Sequence, residues 1–289
     1  MSQTRRFGIG EWYGQSYLGL TRDERHHLAT SRQTQCCPFR IGGGACTKQG
    51  GVCSFRLYEK SKGTILPVAS DEDGLRVMCP RRFEEEMTIF QWVGETVLGT
   101  PNPRIATEIG FLKAQDGKSN VGRIDMVLTN RESDGTAFDW CALEIQAVYF
   151  SGRSMSEEFR NIIDHPGDRP PFPSHHRRPD YRSSGPKRLM PQLQIKVPTL
   201  RRWGKKMAVV VDKHFFNSLG DIEVVDDLSS GDIAWFTVDF EQDDSGRRFK
   251  LVPHDVHVTT LERATEALTG GTPVTLPEFE LDIRSKLDR

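Results

Sequence analysis

Alternating side chains predict a buried strand near the middle of the chain. Within residues 138–149, successive side chains point to opposite faces, and both faces are apolar except at Glu144 and Gln146. A strand that is apolar on both faces is typical of the interior of a sheet. The preceding strand, residues 123–129, places Asp125 among apolar neighbours in the same way. The pattern therefore predicts two neighbouring strands that each carry an acid where apolar residues are expected.

Such acids destabilise a buried strand unless they have a partner. A divalent cation is a suitable partner, because Mg²⁺ takes oxygen ligands from one or two carboxylates together with a substrate phosphate. Asp125 and Glu144 can face one ion, and the Ile145 carbonyl is a further candidate ligand. Gln146 shares the face of Glu144, where an amide can orient water but cannot usefully take a proton. The alternative is that both acids face water at a sheet edge, although buried acids within apolar strands more often mark function.

Flanking patterns predict the remaining elements of an α/β fold, in the order helix, three meandering strands, helical crossover and strand. Residues 83–98 begin with acids and carry an apolar stripe up to Gly99, which predicts an amphipathic helix. Glu108, in the first of the three strands, is a third acid with apolar neighbours. The strands are predicted at residues 105–112, 122–129 and 138–149. The crossover helices and the last strand are predicted at residues 154–164, 189–203 and 207–212.

The chain of 289 residues is long enough to bury a full core, with 36% hydrophobic and 27% charged residues. No apolar run approaches the length of a membrane span, and the N-terminus lacks the apolar core of a signal peptide. We therefore expect a cytoplasmic protein without a membrane partner.

Five of the six cysteines fall within one early stretch. Without an export signal, such clustering favours metal or redox chemistry over a disulfide framework. Four thiolates could form a closed tetrahedral site of the kind that holds structural zinc or iron. Unliganded core cysteines are the alternative, and the sequence does not decide between Cys36 and Cys37. Cys141, on the apolar face of its strand, is expected to be a core residue. The candidate ligands are Cys37, Cys46, Cys53 and Cys79.

The net charge of −1 conceals one basic and one acidic segment. Residues 169–213 contain twelve Lys or Arg and two acids, whereas residues 221–289 contain sixteen acids and seven bases. A concentrated basic segment in a nearly neutral protein is typical of a nucleic-acid binder, and the alternative is an ordinary solvated face. We expect contacts with phosphates and base edges from this segment. The candidates are Arg177, Arg178, Arg182, Lys187 and Arg188, followed by the weaker candidates Gln192 and Gln194.

The motifs GRIDMVL and WCALEIQAVYFSG, which follow an amphipathic helix, resemble the PD-(D/E)XK nuclease core. With FGIGEWYG, CCPF, CTKQGGVC and CPRRF ahead of them, the arrangement is similar to a NotI-type restriction endonuclease over about residues 7–216. The resemblance implies an α/β fold, with a mixed central sheet flanked by helices and an N-terminal metal-binding elaboration that contains four cysteine ligands. The regions it implies are an N-terminal segment at 1–82, a catalytic core at 83–216 with a basic DNA-recognition segment at 165–206, and an acidic C-terminal extension at 217–289.

The resemblance also implies roles for individual residues. The motif acids would be Asp125 and Glu144, the final polar position Gln146, and the additional upstream acid Glu108. Gln146 stands where lysine is usual in the superfamily. The four candidate cysteines would hold iron in a structural role, with zinc as an open alternative. The implied activity is magnesium-dependent cleavage of double-stranded DNA by a homodimer at a palindromic, GC-rich site. The sequence therefore predicts a type II restriction endonuclease.

Two other functions agree with parts of the sequence. A DNA-binding regulator with a metal ribbon and no catalysis would use Asp125 and Glu144 only structurally. A related repair or nicking nuclease would cut one strand or require a lesion.

Overall fold

A computed structural model of the chain describes residues 4–31, 35–61, 64–68, 74–130, 137–220, 222–269 and 274–287. These residues form an α/β fold with a mixed central sheet and helices, as the sequence predicts. None of the helices in these ranges is long and apolar enough to cross a bilayer.

Strands and helices follow one another along the chain. The strands are β1 (Arg5–Trp12), β2 (Gln15–Ser16), β3 (Val52–Ser61), β4 (Thr64–Pro67), β5 (Leu75–Val77), β6 (Arg104–Lys113), β7 (Asn120–Thr129), β8 (Trp140–Ile145), β9 (Phe150–Ser151), β10 (Arg178–Pro179), β11 (Met207–Asp212), β12 (Ile233–Gln242) and β13 (Phe249–Thr259). The α-helices are α1 (Arg22–Thr30), α2 (Thr88–Leu98), α3 (Ser156–Asp164), α4 (Tyr181–Ser184), α5 (Met190–Arg202), α6 (Lys213–Asn217), α7 (Leu261–Thr269) and α8 (Leu276–Leu287).

The central sheet has the strand order β13-β12-β11-β8-β7-β6. Strands β6, β7 and β8 form an antiparallel meander, and β8 runs parallel to β11, which runs parallel to β12. Parallel neighbours need a long crossover, and α3, α4 and α5 lie in the connection between β8 and β11. The predicted order of helix, meander, helical crossover and strand is therefore confirmed.

Both faces of the central sheet are covered, which explains why β8 and β11 are apolar on both sides. Leu143 contributes to a core that includes Phe90 of α2, whereas Ala142 contributes to a second core with Leu193 and Val197 of α5. Strands covered on both faces are near-continuous apolar runs. A polar side chain on β8 is therefore surrounded by protein and needs a polar partner.

Buried polar contacts connect the N-terminal sheet, ordered β2-β1-β3-β4 with β5 beside β3, to the central sheet. Asp212 accepts a hydrogen bond from the backbone N–H of Val77 at 3.0 Å. The fully buried Arg82 donates to Glu11 of β1 at 2.9 Å and to the carbonyl of Phe249 on β13 at 2.9 Å. These contacts hold the cysteine-rich loop, which precedes β3, close to the central sheet.

The helix expected over residues 83–98 is shorter than the sequence predicts. It begins at Thr88, and the preceding Pro80–Met87 is a 3₁₀ segment. Glu86 and Met87 have φ values of 49° and 64°, in the left-handed region that cannot continue a right-handed helix. The predicted C-terminal end is confirmed, because Gly99 adopts a left-handed φ of 64° after the last turn.

Two other parts of the chain differ from their predicted extent. The strand expected over residues 138–149 is regular only up to Ile145, where β8 ends. Residues 217–289, expected as an acidic extension, also contribute β12 and β13 to the central sheet. The division of the chain after residues 82 and 216 stays a prediction.

Candidate active site

Three acids form a row across the central sheet. In the register of β6 and β7, Glu108 comes opposite Asp125. On β7 and β8, Met126 pairs with Leu143. The same register continued by one residue places Asp125 opposite Glu144. Residues that lie opposite each other on antiparallel strands place their side chains on the same face. The structure thus shows the shared face that the alternation predicts for Asp125 and Glu144.

The carboxylates of Asp125 and Glu144 lie close enough together for one ammonium, that of Lys196, to reach both. Glu144 is 8% exposed, whereas the side chain of Asp125 is 53% exposed. Burial raises the pKa of Glu144; Lys196 opposes this effect, and the charge of Asp125 adds to it. Two carboxylates crowded in this way favour a cation beside them.

A buried cation, Lys196, already contacts the pair, and sequence reasoning missed it. Its Nζ donates to Glu144 Oε2 at 2.8 Å and lies 3.6 Å from Asp125 Oδ2. Lys196 is 2% exposed and belongs to the buried face of α5, together with Leu193 and Val197. A charged residue within the apolar stripe of a helix is the signal that would have identified it. The same reasoning identified the acids of β7 and β8.

Gln146 and Glu108 flank the carboxylate pair. Gln146 lines the same cavity as Glu144, and its amide donates to the Ala147 carbonyl at 2.5 Å. Glu108 is exposed, and its Oε2 lies 3.4 Å from Nη1 of Arg123. The φ of Glu108 is +56°, a left-handed conformation that costs a non-glycine residue on the order of 1 kcal/mol. Backbone strain of this kind clusters at functional sites, which supports a role for Glu108 in the site.

Two adjoining cavities form a cleft over the acids. One, of 570 Å³, is lined by Glu108 and Asp125, and the other, of 390 Å³, is lined by Glu144 and Gln146. The four predicted catalytic residues therefore lie in one cleft. The residues that line both cavities are Lys48, Pro80 and Ile145.

The basic segment supplies part of the cleft wall. Lys187, Arg188 and Gln192 line the cavity that contains Glu144. The guanidinium carbon of Arg188 lies 3.8 Å from the centre of the Tyr149 ring, and the same group donates to the Tyr149 hydroxyl. Stacking orients an arginine without neutralising its charge. Lys, Arg and Gln side chains placed in this way can bind phosphates and base edges.

The other candidates for DNA contact lie outside these cavities. Arg178, Arg182 and Gln194 are exposed and line neither of the two. Arg177 is 5% exposed, its Nη2 lies 3.7 Å from Glu158, and burial lowers its pKa. The guanidinium of Arg177 therefore lies inside the protein, with Nε facing Met155 and Nη2 facing Ser154 and Glu158.

Four cysteines are neighbours at one wall of the cleft. Burial raises the pKa of the Cys79 thiol, and the thiols of Cys37 and Cys46 raise it further. Burial also raises the pKa of Cys53, with additional effects of Glu11 and Cys79. Effects of this kind weaken with distance, so the four cysteines lie in one region, and Cys79 itself lines the cavity of Asp125. Within the described residues their side chains are not arranged to hold an ion.

The two remaining cysteines differ from this cluster. Cys36 is exposed and belongs to a short bridge with Ala45. Cys37 is the member of the Cys36–Cys37 pair whose thiol acts on Cys79. Cys141 is fully buried in the apolar core, where burial raises the pKa of its thiol to about 12. Its prediction as a core residue is confirmed.

The cleft, its acids and the cysteine cluster fall within one family match. The family described as Restriction endonuclease NotI matches residues 24–251, which is more than half of the chain. The chain belongs to the NotI restriction endonuclease family. It is therefore a deoxyribonuclease that cleaves DNA at specific sites, and restriction endonucleases are typically metal-dependent. No curated protein matches the chain. The match includes β12, so it extends beyond the residues on which the sequence resemblance rests.

Proposed function

We propose that the chain is a magnesium-dependent type II restriction endonuclease whose metal-binding acids are Asp125 and Glu144. The observation that supports this most directly is that both carboxylates line the cleft and share one ammonium, with Lys196 Nζ at 2.8 Å from Glu144 and 3.6 Å from Asp125. When bound, magnesium supplies an activated water and neutralises charge that develops on the phosphate. Glu108, opposite Asp125 on β6, is the upstream acid in this proposal.

The donor set fits magnesium. This ion is bound through one or two protein carboxylates plus substrate phosphates, rather than by a complete protein cage. Among the residues that the structure describes, no group of three or more His, Cys, Asp or Glu side chains is arranged to hold an ion. A site with two carboxylates agrees with this, since a DNA phosphate completes it. The PD-(D/E)XK core is the architecture we infer for this arrangement.

Lys196 and Gln146 have separate tasks in the proposed reaction. The ammonium of Lys196 favours the ionised form of Glu144 against the effect of burial and orients its carboxylate through a hydrogen bond of 2.8 Å. Gln146 occupies the position at which the superfamily usually has lysine, and an amide brings no positive charge there. We assign that charge to Lys196, which reaches the acids from α5. A charged ammonium and an amide do not accept protons, so neither side chain deprotonates the attacking water.

Recognition is proposed to depend on the basic wall of the cleft. Lys187, Arg188 and Gln192 line it, and the exposed Arg178 and Arg182 belong to the same segment. Arginine can bind guanine bidentately in the major groove, which suits a GC-rich site. A two-fold symmetric dimer presents two copies of the cleft to the two strands of a palindrome. A homodimer and a palindromic, GC-rich site are therefore parts of the proposal.

The four candidate cysteines are proposed to hold a structural iron, with zinc as the alternative. Metal binding would have to draw their thiols together, because within the described residues no three Cys, His, Asp or Glu side chains are arranged to hold an ion. Burial raises the pKa of Cys53 and Cys79, and the backbone at Gly14 and Arg81 opposes this effect. Thiolates formed at these positions would suit both metals. The cluster lies in the cleft wall rather than in the row of acids, which supports a structural role. Elemental analysis of the purified protein distinguishes iron from zinc.

Digestion of plasmid DNA tests the proposed activity. With magnesium, the wild type should produce discrete bands, whereas Glu144→Gln should produce none and should still bind DNA in the presence of Ca²⁺. Glu266→Gln makes the same chemical change at an exposed acid of α7, so it is a matched control and should cleave normally. A wild-type protein that binds DNA without cutting it would contradict the proposal, and single-strand nicks would favour a nicking enzyme. Sequencing the ends of digested genomic DNA gives the recognition site.

A further inference from the structure

The cysteine-rich loop carries one lysine into the cleft. Lys48 lies between Cys46 and Cys53 in sequence, and it lines both cavities. It therefore stands where the cavity of Asp125 joins the cavity of Glu144. Lys48 is neither one of the acids' partners nor part of the basic segment.

The ammonium of Lys48 has donors to spare. It is partly buried and donates to the carbonyl of Met78 at 3.0 Å, which uses one of its three N–H groups. Within the described part of the chain, no carboxylate forms an ion pair with it. In contrast, Lys196, Lys205 and Lys213 are each paired with an acid. Lys48 thus brings into the cleft a positive charge that forms no ion pair with the described carboxylates.

The backbone around Lys48 is held in place by hydrogen bonds. The N–H of Gly51 donates to the Lys48 carbonyl at 3.0 Å. The indole of Trp12 donates to the Gly50 carbonyl at 2.8 Å, and the N–H of Tyr13 donates to the Gly51 carbonyl at 2.9 Å. A cation on a fixed loop loses little freedom when it binds an anion. The loop therefore presents Lys48 in a preorganised position.

We propose that Lys48 binds a backbone phosphate of the DNA in the cleft, beside the phosphate that is cleaved. The inference rests on the proposed nuclease function and adds a contact residue from the cysteine-rich loop. A phosphate oxygen accepts hydrogen bonds from an ammonium readily, and the charge-assisted bond is stronger than a neutral one. The competing role for Lys48 is to balance the thiols, since it opposes the effect of burial on the pKa of both Cys46 and Cys79.

Salt-dependent DNA binding separates the two roles. Each phosphate contact contributes about 0.9 to the slope of log affinity against log salt concentration. Binding of a random-sequence DNA duplex in Ca²⁺ over a series of KCl concentrations measures that slope. Lys48→Met should lower the slope by about 0.9, and Lys48→Arg should retain it. Lys250→Met removes an exposed lysine of β13 that lies outside both cavities, so it is the matched control and should leave the slope unchanged.

Metal content is measured on the same samples, together with wild-type protein treated with a chelator. A lower slope in Lys48→Met that retains its metal supports the phosphate contact. An unchanged slope overturns the inference, as does a lower slope that appears only with metal loss and is matched by the chelated wild type. The failure of the nuclease proposal is distinguishable, because it would appear as wild-type protein that binds DNA and leaves a magnesium-treated plasmid intact.

Discussion

Lys196 of α5 donates to Glu144 of β8 across 2.8 Å, and both side chains are buried. Burial of either charge alone is strongly unfavourable, so each side chain stabilises the other in the interior. The pair joins the crossover helix to the sheet and also keeps a positive charge beside the acids. Mutation can separate the structural effect from the chemical one.

Replacement of Lys196 by methionine should impair both folding stability and cleavage. The free energy of unfolding should fall by about 3–5 kcal/mol, because Glu144 loses its buried partner. Single-turnover cleavage should fall by at least about a hundredfold, as when one preorganised donor is removed from an active site. Urea denaturation and rapid-quench assays measure the two quantities.

The double variant Lys196→Met with Glu144→Gln serves as the control for this experiment. It removes both charges, so it should recover most of the lost stability and none of the activity. Normal cleavage by Lys196→Met alone would show that the ammonium acts only structurally.

Substitutions of Glu108 should separate backbone strain from side-chain function. Glu108→Gly should stabilise the protein by up to about 1 kcal/mol, because glycine adopts a φ of this sign without a steric penalty. Cleavage should nevertheless fall, since the carboxylate is lost from the row of acids. Glu108→Gln keeps the strained backbone, so it should reduce cleavage with little change in stability. Full activity of Glu108→Gly would exclude Glu108 from the reaction.

The buried Arg82 should be far more important for stability than its neighbour Arg81. Arg82 and Glu11 are both fully buried, and the guanidinium also donates to Glu85 at 2.9 Å. Arg82→Met should destabilise the protein by about 3–5 kcal/mol, because Glu11 is left as an unpaired buried charge. Arg81→Met removes a half-exposed arginine from Glu84, whose carboxylate still accepts the N–H of Ile41, so its cost should be smaller. Equal costs in urea denaturation would contradict this assignment.

Asp212 should make the protein less stable as the pH rises from acidic to neutral. Burial raises its pKa to about 6, against the opposing effects of its N–H donors and of Arg76. The folded state then holds the proton more tightly than the unfolded state, in which the pKa of this carboxyl is near 3.8. The stabilising contribution is therefore complete below the unfolded pKa and is lost as the pH rises through about 6.

Asp212→Asn tests this pH dependence, because asparagine does not titrate. From acidic to neutral pH, the unfolding free energy of the wild type should fall relative to that of Asp212→Asn, by on the order of 3 kcal/mol. Urea denaturation of both proteins at several pH values measures the difference. A difference that does not vary with pH would show that the Asp212 carboxyl has the same pKa in the folded and unfolded states.

The acids of the site could be predicted because strand periodicity is a local signal. Asp125 and Glu144 each interrupt an apolar alternation, and neighbouring positions are enough to show it. Their pairing across β7 and β8 then follows from the meander. Lys196 is a single charge among the apolar residues on one face of α5, and its partner Glu144 lies 52 residues away in sequence. Its role therefore depends on how the crossover places α5 against β8, which the local pattern does not specify.

The N-terminal end of the helix predicted over residues 83–98 is another feature that local sequence does not determine. Residues 83–98 have a helical pattern throughout, yet Pro80–Met87 forms a 3₁₀ segment. Arg82 within it bonds to β1 and β13, 71 and 167 residues away. Tertiary contacts of this kind override local propensity. Arg177 is a second example among the predicted DNA contacts, since only the fold shows that its guanidinium is buried beside Glu158.

Helix α5 carries Lys196 to the acids and, one turn earlier, presents Gln192 to the cavity wall for which we propose DNA contact. A short helix moves as one body, so a base pair that shifts Gln192 also shifts the ammonium four residues further along. In the proposed enzyme, a mismatched site would therefore lower both the affinity for DNA and the rate of hydrolysis. Fidelity of this kind needs no separate relay between recognition and chemistry, because one element performs both.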